Sequence, residues 1–414
     1  MPLFALALLA ACDRAEPPIG RALPMVWVRT DDPAAEGAMG WEEARAGLWW
    51  ALSLMGAQPA DEGAVTVVDE GEDRVLYTLD LEAAGFSDGA LDALDPVSAA
   101  LLASDEAAVF GGLDTGRWLM ATLYSPWRYY AVTGACDTLE GWRATRLIED
   151  PARFAVTDSL LVPGDREIEL NPDPPTWDGF AWQAAEGEGS LEDGSFAAGE
   201  LEVLDLMENG QQRFAVYGVD GALQPSSSLT TAGPPGRCMW CHEGNMQIIS
   251  ASNADVPGYL TLEQFKLQLL ASQELMEAVR AASPSPVRWS DPEVHALGER
   301  LVEDFLSPSA GRLAREWGVS EALASSALDG LGLETHLSEE YPELPPLYTR
   351  AELDAALPSL LPLLAPQSDL DLPLEGAADY RAVDVLSSSR ELSPEQWEGL
   401  DGADGGVSLV NCAP

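Results

Sequence analysis

The chain predicts an α+β fold: a β-rich N-terminal half with antiparallel hairpins, a loop carrying a Cys-x-x-Cys-His motif, and a mainly α-helical C-terminal half. Three observations predict it. Its 414 residues are 46% apolar, enough for one large or two modest cores. From Phe154 to about Gln224, short alternating segments are separated by Pro and Gly turns. Beyond Tyr259, apolar residues recur at helical spacing.

The elements follow in order. Trp41 to Leu54 is an amphipathic helical stretch, and Ala64 to Val68 reads as a strand. The aromatic run Trp118 to Tyr130, with Trp127, Tyr129 and Tyr130, reads either as core or as a cofactor-pocket wall. Leu201 to Met207 and Arg213 to Tyr217 form a hairpin through Asn209-Gly210, with Asp220-Gly221 at the next bend. Leu223 to Arg237, rich in Ser, Thr, Pro and Gly, is a loop leading into the motif. Thr261 and Gln264 form a capping box, and Phe265, Leu269, Met276 and Val279 share one face of the helix that follows. A further helix starts near Asp291-Pro292, with Val294, Leu297, Leu301 and Phe305 in its apolar stripe. Shorter helices are expected near 309–317, 320–329, 350–357 and 393–400.

The balance of 69 acidic against 22 basic residues, a formal charge of −47, repels phosphate backbones and anionic headgroups. Nucleic-acid binding is excluded on that ground. A basic partner would be steered in, although a solubilising acidic surface is the simpler account of the charge.

The N-terminus, Met1 to Cys12, is an apolar stretch as long as the core of an export signal. It has no positive charge before Arg14, where such signals normally open with one. Leu9-Ala10-Ala11-Cys12 resembles the lipobox of bacterial lipoproteins, which implies that Cys12 is acylated and the protein tethered on the periplasmic side or in the cell envelope. After the first dozen positions no run of eighteen apolar residues exists, so membrane association would come from this anchor alone. By elimination, the leftover pair Cys136 and Cys412 would form a disulfide in an oxidising compartment, with two free buried thiols as the alternative.

Cys238-Met239-Trp240-Cys241-His242 carries the chemistry. In a c-type haem site, two thiols add across the porphyrin vinyl groups and the adjacent histidine ligates iron, which is the spacing seen here. With three histidines in the chain, one follows a given Cys-x-x-Cys by chance about one time in a hundred. Zinc would need a fourth ligand, and consecutive Cys241 and His242 rarely both reach one tetrahedral ion. A thioredoxin-like dithiol would need a βαβ context that is absent. For a sixth iron ligand, Met276 and His295 lie at suitable separations, His336 is more distant, and Met246 stands too close in sequence. Met276 also fits an ordinary core position, His295 borders the apolar stripe and fits a satisfied or exposed imidazole, and the iron could also be five-coordinate.

From about Trp177 to Gln247, with Asp178-Gly179-Phe180-Ala181-Trp182, the hairpin ending Phe214-Ala215-Val216-Tyr217, a Gly/Pro loop and then the motif, the chain resembles single-haem cytochrome c-like lipoproteins of environmental bacteria. The resemblance covers about a sixth of the chain. It implies one covalent haem c on Cys238 and Cys241 with iron ligated by His242. No clear methionine-bearing loop follows the motif, unlike in compact cytochromes c.

The expected organisation is a signal peptide (1–12), a tether (13–23), a mixed α/β, β-rich domain (24–228), a haem-attachment loop and helical region (229–345), and a C-terminal helical region (346–414). The expected function is electron transfer to a redox partner protein. The alternatives are a peroxidase-like haem enzyme with an open sixth position, and a non-haem binding lipoprotein whose Cys-x-x-Cys-His is a metal site or disulfide staple.

Overall fold

The computed structural model describes residues 21–364 and 409–412, except 35–36, 104–106, 108–109, 147–149, 160–163, 173–175, 230–234, 243–244, 247–249, 253–255, 284, 290–291 and 339–343. The proposed lipidation site Cys12 and the expected helix at 393–400 lie outside the described residues.

The fold is α+β, as the periodicities predict. Strand β1 (Ala22–Val28) leads into helix α1 (Trp41–Leu54), then β2 (Val65–Glu70), β3 (Arg74–Asp80), α2 (Asp88–Leu102), β4 (Leu113–Asp114), α3 (Thr115–Thr122), α4 (Pro126–Thr133) and α5 (Leu139–Thr145). The strands form a sheet in the order β2-β3-β1-β4, antiparallel except for the short β1–β4 pair. Six more strands follow: β5 (Ala152–Val156), β6 (Asp158–Ser159), β7 (Arg166–Leu170), β8 (Ala181–Glu188), β9 (Ala197–Leu206) and β10 (Gln212–Gly218). With β11 (Leu223–Gln224), all of these except β6 make an antiparallel sheet in the order β11-β10-β9-β8-β7-β5. The hairpin expected at Asn209-Gly210 joins β9 to β10, with Gly210 at a φ of 81°.

The motif helix α6 (Cys238–His242) precedes β12 (Ser250–Ser252), which pairs with β6. Then come α7 (Leu262–Ala282), α8 (Pro292–Leu306), α9 (Ala310–Trp317), α10 (Glu321–Leu331) and α11 (Arg350–Leu364). The Thr261/Gln264 capping box starts α7, whose Phe265, Leu269 and Met276 are buried as the spacing predicts.

One apolar core runs from Leu23 to Leu306 across both sheets, and a second, smaller one joins α9, α10 and α11. Helix α8 is wedged into the first. Gly47 of α1 faces its backbone so closely that an added Cβ would sit 2.6 Å from the carbonyl of Leu297. Gly47→Ala gains about 1 kcal/mol of helix propensity, but overpacking against unyielding backbone costs up to about 3 kcal/mol. The clash wins, and a drop of about 2 kcal/mol in urea unfolding is the expected result.

Buried charges fasten the second core to the first sheet. Arg312 of α9 reaches Asp114 at 2.6 Å, Glu316 at 2.7 Å and the Val28 carbonyl at 3.1 Å. Arg350 grips Glu316 from α11, at 2.7 Å through Nη1. Burial works against the Glu316 carboxylate, yet Arg350 and Arg312 outweigh it and hold its pKa down at about 2.

Candidate haem site

The loop before the motif is latched from below. Glu200 of β9, buried, accepts hydrogen bonds from the Ser227 hydroxyl, from Ser228 N and Oγ (both 2.8 Å) and from Leu229 N (3.2 Å). A single 3-10 turn, Pro235–Arg237, then presses its backbone against the end of α3. A Cβ on Gly236 would stand 2.6 Å from the Leu123 carbonyl, so only glycine permits this approach. The turn runs directly into α6, where the spacing i, i+3, i+4 puts positions 238, 241 and 242 on one helical face.

Cys238 and His242 line a cavity of about 120 Å³. Its other walls come from β5, β7, β8, β9 and β10, from Met246, and from Phe265 and Leu269 of α7. Most of this lining is apolar; Arg166, Gln183 and Glu202 supply the polar groups. The His242 ring leans on Phe214 with centroids 5.1 Å apart. Its Nδ1 is buried with no hydrogen-bond partner. Burial, and secondarily the nearby Arg166 charge, push the His242 pKa down to about 4. The imidazole is therefore neutral near pH 7, the form that ligates a metal.

The Asn245 amide donates to the His242 carbonyl at 2.7 Å, turning the chain back on itself. Buried Gln212, at the start of β10, then receives the turn: its Nε2 donates to Asn245 O at 3.1 Å and to the Met246 sulfur at 3.5 Å, with the Met276 sulfur at 3.9 Å. Met246 also donates its backbone N–H to Gln273 at 3.0 Å. So Met246, despite its closeness in sequence, is the methionine on the wall that His242 shares. Met276 is fully buried behind Gln212 and is not among the lining residues. His295 sits elsewhere, its ring 5.3 Å from Trp50 and its Nε2 3.2 Å from Glu299, where α8 packs on α1. His336 is exposed and bridges to Leu347 through its backbone.

The aromatic run is mainly structural. Tyr129 and Tyr130 are buried and accept the backbone N–H groups of Phe214 (3.1 Å) and Val216 (3.2 Å), fixing β10 beside the motif. Cys136 and Cys412 are joined in a disulfide with a Cα separation of 5.3 Å, and Cys238 is a thiol. Among the described residues, no three His, Cys, Asp or Glu side chains converge as a metal site.

The donor set fits a c-type haem. The neutral imidazole is the form that ligates iron, the thiol of Cys238 lines the same cavity, and the walls are mostly apolar. Whole-cofactor pockets hold roughly 300–1,000 Å³, so this cavity of about 120 Å³ would enclose only part of a porphyrin. Arg166 and Glu202 escaped sequence reasoning because Arg166-Glu167-Ile168-Glu169 and Glu200-Leu201-Glu202 alternate like solvated strands; no signal in the sequence separates them from such strands.

No family model matches the chain, and no similar protein emerges among curated proteins or solved structures.

Proposed function

We propose that this is an exported, lipid-anchored c-type haem protein that works as an electron carrier, with one haem bonded to Cys238 and Cys241, iron ligated by His242, and the chain acylated at Cys12. The observation that carries the reading is geometric: His242 and Cys238 line one mostly apolar cavity, with the imidazole held neutral by burial. When bound, the haem supplies a one-electron iron couple.

The chain's own residues have separate tasks. Cys238 and Cys241 would hold the group covalently, and His242 would supply a nitrogen to its iron. Phe214, Leu204, Phe265 and Leu269 exclude water from that side, which favours a defined ligand set over exchangeable solvent. A group only partly enclosed would stay within reach of a partner, and the −47 charge favours a basic one. No helix among the described residues is long and apolar enough to cross a membrane, which is compatible with an anchor at Cys12.

The test is a pyridine haemochrome spectrum and haem stain of denatured protein made with a cytochrome c maturation system. Wild type is expected to hold one haem per chain, Cys241→Ala to show a single-thioether spectrum or none, and His242→Ala to lose most of its haem. A colourless wild type overturns the proposal and makes zinc analysis the next step.

A further inference from the structure

Glu186 is wholly buried within the sheet that backs this cavity, its side chain 0% exposed. The register sets it opposite Arg166 on β7 and opposite Glu200 on β9. Arg166 contacts Glu186 through Nε and Glu202 through Nη2, the latter at 2.8 Å. The charged groups facing Glu186 are therefore Arg166 from one neighbouring strand and Glu200 and Glu202 from the other. Glu200 is already occupied by the Ser227 to Leu229 latch. Neither Glu186 oxygen accepts a well-formed hydrogen bond.

One guanidinium thus stands between two carboxylates in a nearly dry wall. It can neutralise one of them, and an uncompensated buried carboxylate resolves the conflict by taking a proton. Burial, reinforced by Glu202 and Glu200 against the opposing pull of Arg166, pushes the Glu186 pKa up to about 8. Arg166 and Glu202 line the same cavity as His242, and the Arg166 charge is felt at His242. A charge change at the iron position is therefore felt by the same triad.

Resting on the haem reading above, we infer that Glu186 is a proton-binding site coupled to the haem through Arg166 and Glu202, so that the protein takes up a proton together with its electron. The balance is simple. A one-electron donor protein gives one electron to the iron, lowering the local charge by one. One proton passes to the Glu186 carboxylate from hydronium, whose O–H bond breaks to leave water as the carboxyl O–H bond forms. Re-oxidation releases both.

The test is the midpoint potential of the holoprotein against pH in a spectroelectrochemical cell, with infrared difference spectra recorded on the same sample. In wild type the potential should fall as pH rises through a window adjoining about pH 8, each tenfold difference in proton affinity between oxidation states giving ~59 mV. Reduction should also bring up a protonated-carboxyl C=O band. Glu186→Gln should keep its haem, lose that band and show a flat potential. Glu202→Gln should retain the slope with the window moved to lower pH, because the competing carboxylate is gone. A haem-loaded wild type with a flat potential, or a slope that survives in Glu186→Gln, overturns the inference while leaving the haem reading standing. A colourless chain overturns the haem reading and the coupling with it; infrared titration of that apo chain then tests the proton site alone.

Discussion

Asp205→Ala is expected to lower stability by about 3–5 kcal/mol, more than the overpacking expected of Gly47→Ala. Asp205, 1% exposed, is the acceptor at the centre of a buried cluster. The Trp142 indole donates to it at 2.6 Å and Arg146 Nε at 3.1 Å. Arg213, its cross-strand neighbour, grips both oxygens at 2.9 Å and sends Nη1 on to the Thr133 and Gly134 carbonyls at 2.8 Å. Burial opposes the Arg213 charge, but Asp205 more than offsets it, and Arg213 remains firmly cationic. Without the carboxylate two guanidiniums would be left buried and facing each other. Asp205→Asn, which keeps the shape and one acceptor, should recover only part of the loss. Urea unfolding of the three proteins measures this, and equal stability of the alanine variant and wild type would show that the cluster contributes nothing.

Reducing the Cys136–Cys412 bridge is the second large effect. The two residues lie 276 positions apart, and the loop-closure relation gives a stabilisation of roughly 5.6 kcal/mol for a ring of that size. Among the described residues, the contacts beside it include the short return near Val410, whose carbonyl accepts from Asp137 N at 3.0 Å, the packing of Leu409 on the core, and the close approach of Gly141 to the Cys412 backbone. The bridge therefore acts mainly on the unfolded chain, and the folded spectrum should change little when it is opened. The expected result is a much lower urea midpoint in Cys412→Ser or in reductant, with near-ultraviolet circular dichroism preserved under native conditions. An unchanged midpoint would mean that the unfolded chain gains little freedom from reduction.

Much of the fold was legible because its signals are local. The stripe from Trp41 to Leu54, the Asn209-Gly210 hairpin and the Thr261 capping box each depend on residues within one element. The motif at Cys238 was legible for the same reason. What stayed hidden depends on pairing. Glu186 and Arg166 become partners only once the register of β7 and β8 is set, and in isolation each reads as a surface charge. Asp31, Asp114, Arg300 and Arg312 are likewise buried charges that composition assigns to solvent. Distance along the chain argues against Met246, whereas the turn at Asn245 and the side chain of Gln212 decide where it goes.

Strand β1 has a further consequence. It enters at Ala22 and lies between β3 and β4, inside its sheet. With acylation at Cys12 as proposed, nine residues lie between the lipidated cysteine and the start of β1 at Ala22. Even fully stretched they span at most about 35 Å. The body of the protein would work on a short leash, close to the bilayer surface, and an electron donor or acceptor would have to meet it in that thin zone.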